Sequence, residues 1–259
     1  MTAFRQYIAL TRRSIVNTAR RPATVIPSIA FPLIFLSLSS AALDRSTQLA
    51  NFPQVDSFVQ FAIMATITQG VLFGAVGAGT DMARDIEDGF FDRLVASPVA
   101  RTSIVVGRIG GAAVLGLLQA LIFIGVVSIF GVRIEGGLEA VAMIAVVASV
   151  LAAGVGSITV AMGLRTGSSE AVQGSFPLIF VFLFLSSAFF PRELMRGWYH
   201  GVATINPFSH LIEGLRTQII SGVDVGQWLI SLGIALAIFA FGVGLALLAL
   251  RGRLKATHG

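Results

Sequence analysis

The 27 residues of Leu138–Leu164 read LEAVAMIAVVASVLAAGVGSITVAMGL and carry one charged side chain, Glu139, at the second position. A helix that crosses the hydrocarbon core of a bilayer needs about 20 mostly apolar residues. An amphipathic helix of a soluble protein would instead place polar residues along one face with a period of 3.6 residues, and this stretch has no such pattern. Leu138–Leu164 is therefore a predicted membrane-spanning helix.

Five more runs along the chain have the same character. The predicted spans cover residues 22–43, 57–80, 104–130, 138–164, 171–191 and 226–250. The 259-residue chain is 55% hydrophobic and 12% charged, with a mean hydropathy of +0.87, whereas soluble domains carry roughly a quarter charged residues. These values predict a single transmembrane domain over residues 1–259 that is all-α, with six transmembrane helices, and they exclude a soluble fold.

The positions of the cationic side chains predict the orientation. Thirteen of the 18 lysine and arginine residues fall in the N-terminal segment, in the loop after the second predicted span, at Arg165 and in the C-terminal tail. Cationic residues are enriched in cytoplasmic loops, so both termini are expected on the cytoplasmic side (N-in, C-in). This placement explains the net charge of +5 without nucleic acid. Residues 1–21 are expected to form an interfacial helix with arginines toward anionic lipid headgroups; a solvated basic tail explains them equally well.

Few residues offer catalytic chemistry. Cysteine is absent, and the only lysine, Lys255, does not lie in the G-x-x-x-x-G-K-[ST] pattern of a phosphate-binding loop. His200 and His210 lack the spacing of a metal motif and are interpreted as interfacial residues. No predicted span has an ionisable residue near its middle, and Arg108, one turn into the third span, is expected to extend to the interface. We therefore predict no catalytic residue, metal site or nucleotide site in this sequence.

The loop after the second predicted span is the most informative one. Thr80–Pro98 reads TDMARDIEDGFFDRLVASP. At 100° per residue, one stripe of a helix would hold four aspartates and the opposite stripe four apolar residues. The acidic stripe is Asp81, Asp85, Asp88 and Asp92, and the apolar stripe is Ala83, Ile86, Phe90 and Leu94. Such a helix can dock into a groove of a soluble partner, or it can lie at the interface with its apolar stripe on lipid.

Two groups of short motifs carry a family resemblance. In the first, Glu87-Asp88-Gly89, Arg93-Leu94, Ser97-Pro98-Val99 and Gly107-Arg108 resemble the cytoplasmic loop of ABC-2 type permeases. In the second, Phe176-Pro177, the run LSSAFFP at 185–191, Trp198, Asn206-Pro207-Phe208 and Glu213-Gly-Leu-Arg216 are similar to the fifth span and the following outer loop of that family. The daunorubicin-resistance-like drug-export permeases look closest, although Asp88-Gly89-Phe90 departs from their acid-Gly-Thr pattern.

The resemblance implies an ABC-2 (type V exporter) architecture in which two permeases, most simply a homodimer, bind two copies of a separate ATPase. ATP and Mg²⁺ would then be bound by that partner, and this chain would need no cofactor. Residues 84–97 would be the coupling helix, and residues 192–224 a re-entrant extracytoplasmic region. The coupling residues it implies are Arg84, Asp85, Glu87, Asp88, Gly89, Phe90, Asp92, Arg93 and Leu94.

The resemblance also places a cargo path at the dimer interface, lined by spans one, two and five. The polar residues there are Ser37, Ser39, Thr66, Gln69, Ser186 and Ser187, which can equally bond neighbouring helices. The absence of charge within the spans favours a hydrophobic or amphiphilic cargo, such as a drug, an antibiotic or a lipid-like metabolite. The expected location is the bacterial cell (inner) membrane, as a multi-pass protein surrounded by lipid.

Two other functions remain open from the residues alone. An ion-coupled or facilitative carrier would act without an ATPase, and the absence of an adjacent ATPase gene would favour it. A membrane immunity or scaffold protein would not transport, and replacement of Glu87 or Gly89 would then leave export or resistance unchanged.

Overall fold

The chain folds entirely into helices and loops within residues 3–256, which are the residues that the computed structural model describes. Residues 1–2 and 257–259, which the predictions for 1–21 and 1–259 include, lie outside this range. The helices are α1 (Ala3–Ala19), α2 (Pro22–Leu43), α3 (Phe58–Glu87), α4 (Phe90–Ala96), α5 (Arg101–Ile129), α6 (Gly137–Thr166), α7 (Ser169–Gly174), α8 (Phe176–Phe184), α9 (Gly197–Ile205), α10 (Pro207–Ile220) and α11 (Val225–Ala256). Two short 3₁₀ helices occupy Asp44–Gln48 and Arg192–Leu194. The prediction of an all-α fold is confirmed.

Five of these helices, α2, α3, α5, α6 and α11, are long and apolar enough to cross a membrane. They match five of the six predicted spans, with one correction at α3. The second span was predicted to end at residue 80, but α3 continues without interruption to Glu87. Asp81 and Asp85 lie in this continuation. Both are buried, and arginine side chains compensate their charges there. The chain is an integral membrane protein.

The fifth predicted span, 171–191, is the clearest difference from the expectation of a continuous helix. It consists of α7 and α8, which together form a shorter apolar element from Ser169 to Phe184, and the chain then leaves helical geometry from Leu185 to Pro191. The break between α7 and α8 lies at Ser175, where Pro177 follows and cannot donate a backbone hydrogen bond to the preceding turn.

Helix α3 lies at the centre of the bundle. It packs against α2, α5, α6, α7, α8 and α10, and most of its apolar window is buried within the protein. Small residues permit these close approaches: a Cβ atom at Gly163 of α6 would lie 2.5 Å from the carbonyl oxygen of Gly79, and one at Gly154 would lie 2.8 Å from the backbone nitrogen of Phe239 in α11. Several glycines of the spans are therefore helix-packing positions.

Helix α1 lies against the first turns of α5. A Cβ atom at Gly107 would lie 2.6 Å from the Cβ atom of Leu10, and one at Gly110 would lie 2.8 Å from the Thr11 hydroxyl. Gln6 also accepts a hydrogen bond from the Ala100 backbone nitrogen at 3.0 Å. These contacts hold α1 beside the loop that carries α4, so the N-terminal helix and the predicted coupling segment form one structural unit.

Candidate functional site

The segment predicted as one helix over 84–97 is an elbow, and the prediction of a continuous helix is wrong at residues 88–89. Helix α3 ends at Glu87, where the Asp88 backbone nitrogen donates to the Arg84 carbonyl at 2.9 Å. Gly89 follows with φ of 65°, a left-handed conformation that residues with a Cβ atom rarely adopt, and α4 begins at Phe90. Two helices therefore meet at this glycine.

The four aspartates of the predicted acidic stripe divide between two environments. Asp81 and Asp85 lie in the buried part of α3, with 8% and 9% of their surface exposed. Asp88 and Asp92 lie at the elbow and on α4, and both are exposed. Only the second pair is available to a partner protein, because the first pair is occupied inside the bundle.

Asp81 and Asp85 belong to an ionic cluster with Arg13, Arg21 and Arg108. The Arg108 guanidinium bonds Asp81 at 3.2 Å and also bonds Asp85. Arg13 binds Asp85 through two nitrogens at 3.1 and 3.3 Å, and Arg21 binds Asp81. The cluster joins α1, the start of α2, α3 and α5 at one end of the bundle.

The expectation that Arg108 extends to the interface is wrong. Only 4% of Arg108 is exposed, because Asp85 in the last turn of α3 and Asp81 in the turn before it pair with the guanidinium inside the protein. Removal of one member of a buried pair leaves an uncompensated charge, which typically costs about 3–5 kcal/mol. The sequence contains the signal, an aspartate pair and an arginine in adjacent spans, but it does not show that these helices face each other at that level.

Helix α4 is fixed to the bundle along one side. Phe91 is 1% exposed and packs in an apolar cluster with Met82 and Leu250. The Arg13 guanidinium lies 3.9 Å from the ring centroid of Phe90, which adds a cation–π contact to α1. Glu87 accepts hydrogen bonds from the backbone nitrogen and hydroxyl of Ser169, at the start of α7. Displacement of the elbow would therefore act directly on α1, α7 and the α3–α5 cluster.

The comparisons with known proteins address the chain as a whole. The family model described as ABC-2 type transporter matches residues 5–220. This chain belongs to the ABC-2 type transporter family. The permease is 30% identical to a putative transport permease, ycf38, of Porphyra purpurea, over 80% of this chain and 72% of the relative.

Two other relatives of the permease have names that state a role. It is 29% identical to the daunorubicin resistance ABC transporter permease protein DrrB1 of Streptomyces coeruleorubidus, over 85% of this chain and 75% of that protein. It is 26% identical to the probable doxorubicin resistance ABC transporter permease protein DrrC of Mycobacterium tuberculosis, over 82% of this chain and 75% of that protein. The resemblance inferred from the two motif groups is thus confirmed at the level of the family.

The six polar residues predicted to line a cargo path do not share one surface of the permease. Ser37 is exposed on α2 and Ser39 is partly exposed, whereas Thr66, Gln69, Ser186 and Ser187 are buried. The hydroxyls of Ser37, Thr66 and Ser186 bond carbonyls of their own segments. The Gln69 amide and the Ser187 hydroxyl are buried without a hydrogen-bond partner among residues 3–256, which is unusual enough to require an explanation.

The C-terminal end of α8 is held by side chains rather than by helix geometry. Asn206 donates to the carbonyls of Phe182 and Leu185 at 2.7 and 3.0 Å, and Tyr199 donates to that of Phe184 at 2.8 Å. Arg216 donates to the carbonyls of Ser187, Ala188 and Phe61, at 3.1, 2.9 and 2.9 Å. Buried non-helical backbone is tolerated where protein groups satisfy its hydrogen bonds, and residues of α9 and α10 and their junction supply those groups.

Arg216 keeps its charge in this position. Burial lowers its pKa to about 10, against the opposing effect of Glu213 and Glu193. The guanidinium therefore stays protonated at neutral pH, and its planar fork can bond three carbonyls at once. Leu211, Leu215 and Ile219 of the same helix are buried and form its apolar face.

A row of phenylalanines along α8 is a feature that the sequence analysis did not single out. Phe176, Phe180 and Phe184 are spaced by four residues and so lie on one face of α8. With Phe31 of α2 and Phe73 of α3 they line an open, almost wholly apolar groove of about 500 Å³. A second groove of about 300 Å³, between the starts of α2 and α8, is lined by Thr24, Arg84 and Gln173 among others. The spacing i, i+4, i+8 of aromatic residues was the available sequence signal.

Proposed function

We propose that this permease is the membrane subunit of an ATP-driven exporter that moves hydrophobic or amphiphilic compounds out of the cell. A separate ABC ATPase, in two copies, would bind ATP and Mg²⁺ and supply the energy, and the permease would act as a dimer of identical chains. Membership in the ABC-2 type transporter family and the names of the drug-resistance relatives support this proposal. The observation that carries it furthest is the elbow at Gly89, which is anchored on one side and exposed on the other.

In this proposal the ATPase contacts the exposed side of the elbow. Asp88, Asp92 and Arg93 are exposed there, and Leu94 and Phe90 are partly exposed. The family resemblance also implies Asp85 and Glu87 as coupling residues. Asp85 would act through its ion pair with Arg108, and Glu87 would act through its hydrogen bond with Ser169. Movement of the ATPases would then reach α1, α5 and α7 through contacts that already exist.

We further propose six crossings, with both termini in the cytoplasm of a bacterial cell. Support for the sixth crossing comes from the two ends of the element that begins with α7. Ser169 bonds Glu87 at one end of α3, and the Ser187 carbonyl shares Arg216 with the carbonyl of Phe61 at the other. The 26 residues between those points of α3 span about 39 Å at 1.5 Å per residue, more than a hydrocarbon core of about 30 Å. Residues 192–224 would then be the re-entrant outer region, and α1 the interfacial helix.

The cargo path would follow α2, α3 and α8, where the permease presents its aromatic groove. The buried amide of Gln69 lies on the same face of α3 as Phe73 and Val76, so movement of α8 would bring it into the path. In the open state, a cargo with a hydrogen-bonding group could bond the Gln69 amide, which has no such partner in the present state. The gain of this bond would favour the open state when cargo is present.

Co-purification with an ATPase tests this function. The tagged permease would be co-expressed with each ABC ATPase of its host that has no membrane spans, and purified in lipid nanodiscs. We expect one ATPase to co-purify and the double variant Asp88→Arg/Asp92→Arg to weaken its binding about tenfold, a loss of about 1.4 kcal/mol. Glu170→Arg is the matched control, since Glu170 is an exposed acid at the same end of the bundle but off the elbow.

Two results would contradict the proposal. One is that none of the ATPases binds the permease. The other is that the Asp88→Arg/Asp92→Arg variant binds its ATPase and supports cargo-stimulated hydrolysis as well as the parent does. Asp85 is left out of the reversal because its burial in the ionic cluster would confuse loss of folding with loss of coupling.

A further inference from the structure

The two grooves beside α8 adjoin each other on the protein surface. Phe73 and Phe176 line both of them. The aromatic groove extends from these rings to Phe184, and the smaller groove extends from the same rings to Thr24 at the start of α2 and Arg84 near the end of α3. A single elongated molecule can therefore occupy both, with its apolar body against the phenylalanines. Volumes of about 500 and 300 Å³ lie in the range of sites for small organic ligands.

The smaller groove is polar at the end away from the phenylalanines. Arg84, Thr24, Thr80 and Gln173 line it, and none of the acidic residues that the structure describes does. Arg84 is half-buried, and no carboxylate within the described residues lies close enough to form an ion pair with it. Arg13, Arg21 and Arg108 at the same end of the bundle all have aspartate partners. A guanidinium that lacks a carboxylate and lines a groove is available to an anion.

We propose that the double groove binds an amphiphile with an acidic head group, which Arg84 holds while a ring system lies against Phe73, Phe176 and Phe180. This inference rests on the proposed export function, because it names the class of cargo for that path. Aromatic walls favour flat ring systems over flexible acyl chains, since stacked rings gain contact without loss of chain freedom. The cargo would enter from the cytoplasmic end, where its head group remains near water.

Arg84 acquires a different role by this inference. The family resemblance groups it with the coupling residues, yet its side chain lines the groove between α2, α3 and α7. As a specificity-determining residue it would select cargo by charge. One charge-assisted hydrogen bond in such a partly exposed position is worth roughly a tenfold change in affinity.

The absence of cysteine makes a direct test possible. The exposed Thr24, which lines the polar end, is changed to cysteine in the full chain, reconstituted in phosphatidylcholine nanodiscs. Labelling by N-ethylmaleimide is timed with three probes that differ only in head group: 4-(1-pyrenyl)butanoate, 4-(1-pyrenyl)butanol and 4-(1-pyrenyl)butyltrimethylammonium. We expect the butanoate to protect the cysteine at about tenfold lower concentration than the alcohol, with the ammonium weakest.

The Arg84→Gln change should abolish this preference, and Arg84→Lys should keep most of it. The matched control is Arg165→Gln, which removes an exposed cation at the end of α6 and should leave the order of the probes unchanged. A Thr166→Cys variant, at an exposed site away from the groove, should show no protection by any probe.

Four results would overturn the inference. The probes could protect equally, or the preference could survive Arg84→Gln. Phosphatidylglycerol in the nanodisc could protect the cysteine as well as the butanoate does, which would make membrane lipid the occupant. Phe180→Cys could form a disulfide between two copies that no probe slows, so that a second copy fills the groove. The assay needs no ATPase, so failure of the export proposal would appear separately, as loss of co-purification.

Discussion

Arg108 is the central residue of the ionic cluster at one end of the bundle. It is the member of the ionic cluster that contacts both aspartates, and it is the least exposed of the three arginines. Arg13 and Arg21 remain partly exposed, so water shares in the solvation of their charge. The cluster therefore has one central cation and two peripheral ones.

This arrangement predicts unequal effects of removing the arginines. Arg108→Met should lower the free energy of unfolding by about 3 kcal/mol, the lower end of the cost of breaking a buried ion pair, because Asp81 and Asp85 lose their shared buried cation and keep only the partly exposed Arg21 and Arg13. Arg13→Met should have a smaller effect, since Arg108 still bonds Asp85. Thermal unfolding of the purified permease in detergent measures both.

The control for this prediction is Arg12→Met, since Arg12 is exposed on α1 beside Arg13. Equal melting temperatures for Arg108→Met and Arg12→Met would show that the cluster does not stabilise the fold.

The cluster also shows which part of the site the sequence could not supply. Composition and spacing indicate that Asp81 and Arg108 lie near the same end of two spans, but pairing needs the rotation of each helix about its axis. The rotation of an amphipathic helix can be predicted from the periodic spacing of its polar residues, but these apolar helices have no such spacing. The sequence therefore placed the charges at the correct level and left their partners undetermined.

At the scale of elements, the elbow between α3 and α4 depends on a single backbone conformation. Gly89 has φ of 65°, and a Cβ atom placed there would have no neighbour within 4 Å in the described part of the chain. Any effect of substitution must then come from the backbone, where the left-handed conformation costs other residues about 1–2 kcal/mol. Asparagine tolerates this conformation better than alanine does.

We therefore predict that Gly89→Ala impairs export and ATPase stimulation, while Gly89→Asn retains most of both. The alanine variant favours continuation of α3 into α4, which would displace the exposed Asp88 and Asp92 from their present positions. Transport of a fluorescent cargo into inside-out vesicles, with ATP, measures the first effect, and phosphate release measures the second.

Gly125→Ala is the matched control, because Gly125 lies inside α5 and needs no left-handed conformation. A Cβ atom added there would meet no atom of residues 3–256 within 4 Å, as at Gly89. The change should be neutral or slightly stabilising. Full activity of Gly89→Ala would mean that the elbow does not transmit the action of an ATPase.

The helices also show which spans hydropathy alone can predict. Five long spans are recovered from apolar run length, because a helix is the structure that satisfies every backbone group in lipid. The run at 171–191 is equally apolar, yet it breaks at Ser175 and unwinds after Phe184, since Tyr199, Asn206 and Arg216 replace the missing helix bonds. Those residues follow the run in sequence, so the run alone cannot reveal the break.

At the scale of the whole molecule, α3 connects the two ends of the bundle. Near the start of α3, Arg216 donates hydrogen bonds both to the carbonyl of Phe61 and to the carbonyl of Ser187, which follows α8. Near the end of α3, Asp85 belongs to the ionic cluster, and Glu87 accepts a hydrogen bond from Ser169 of α7. Arg216 and the three carbonyls that it bonds form a clamp at the other end of the bundle. Packed interiors transmit strain, so displacement at the elbow would be carried along α3 to this Arg216 clamp. In the proposed exporter, one element would then link coupling to closure around Arg216.

This linkage requires that α7 and α8 carry the chain across the membrane, which gives a prediction about topology. Because the chain contains no cysteine, single cysteines report the side of the membrane without background labelling. Gln54→Cys and Glu193→Cys should react with a membrane-impermeant maleimide in intact cells. Arg165→Cys and Gly252→Cys should react only after permeabilisation, because the permease would have six crossings with both termini inside.

If α7 and α8 entered and left on the same side, Glu193→Cys would label together with Arg165→Cys, and Gly252→Cys would appear on the outside. That pattern would leave five crossings and remove the route from the elbow to the Arg216 clamp.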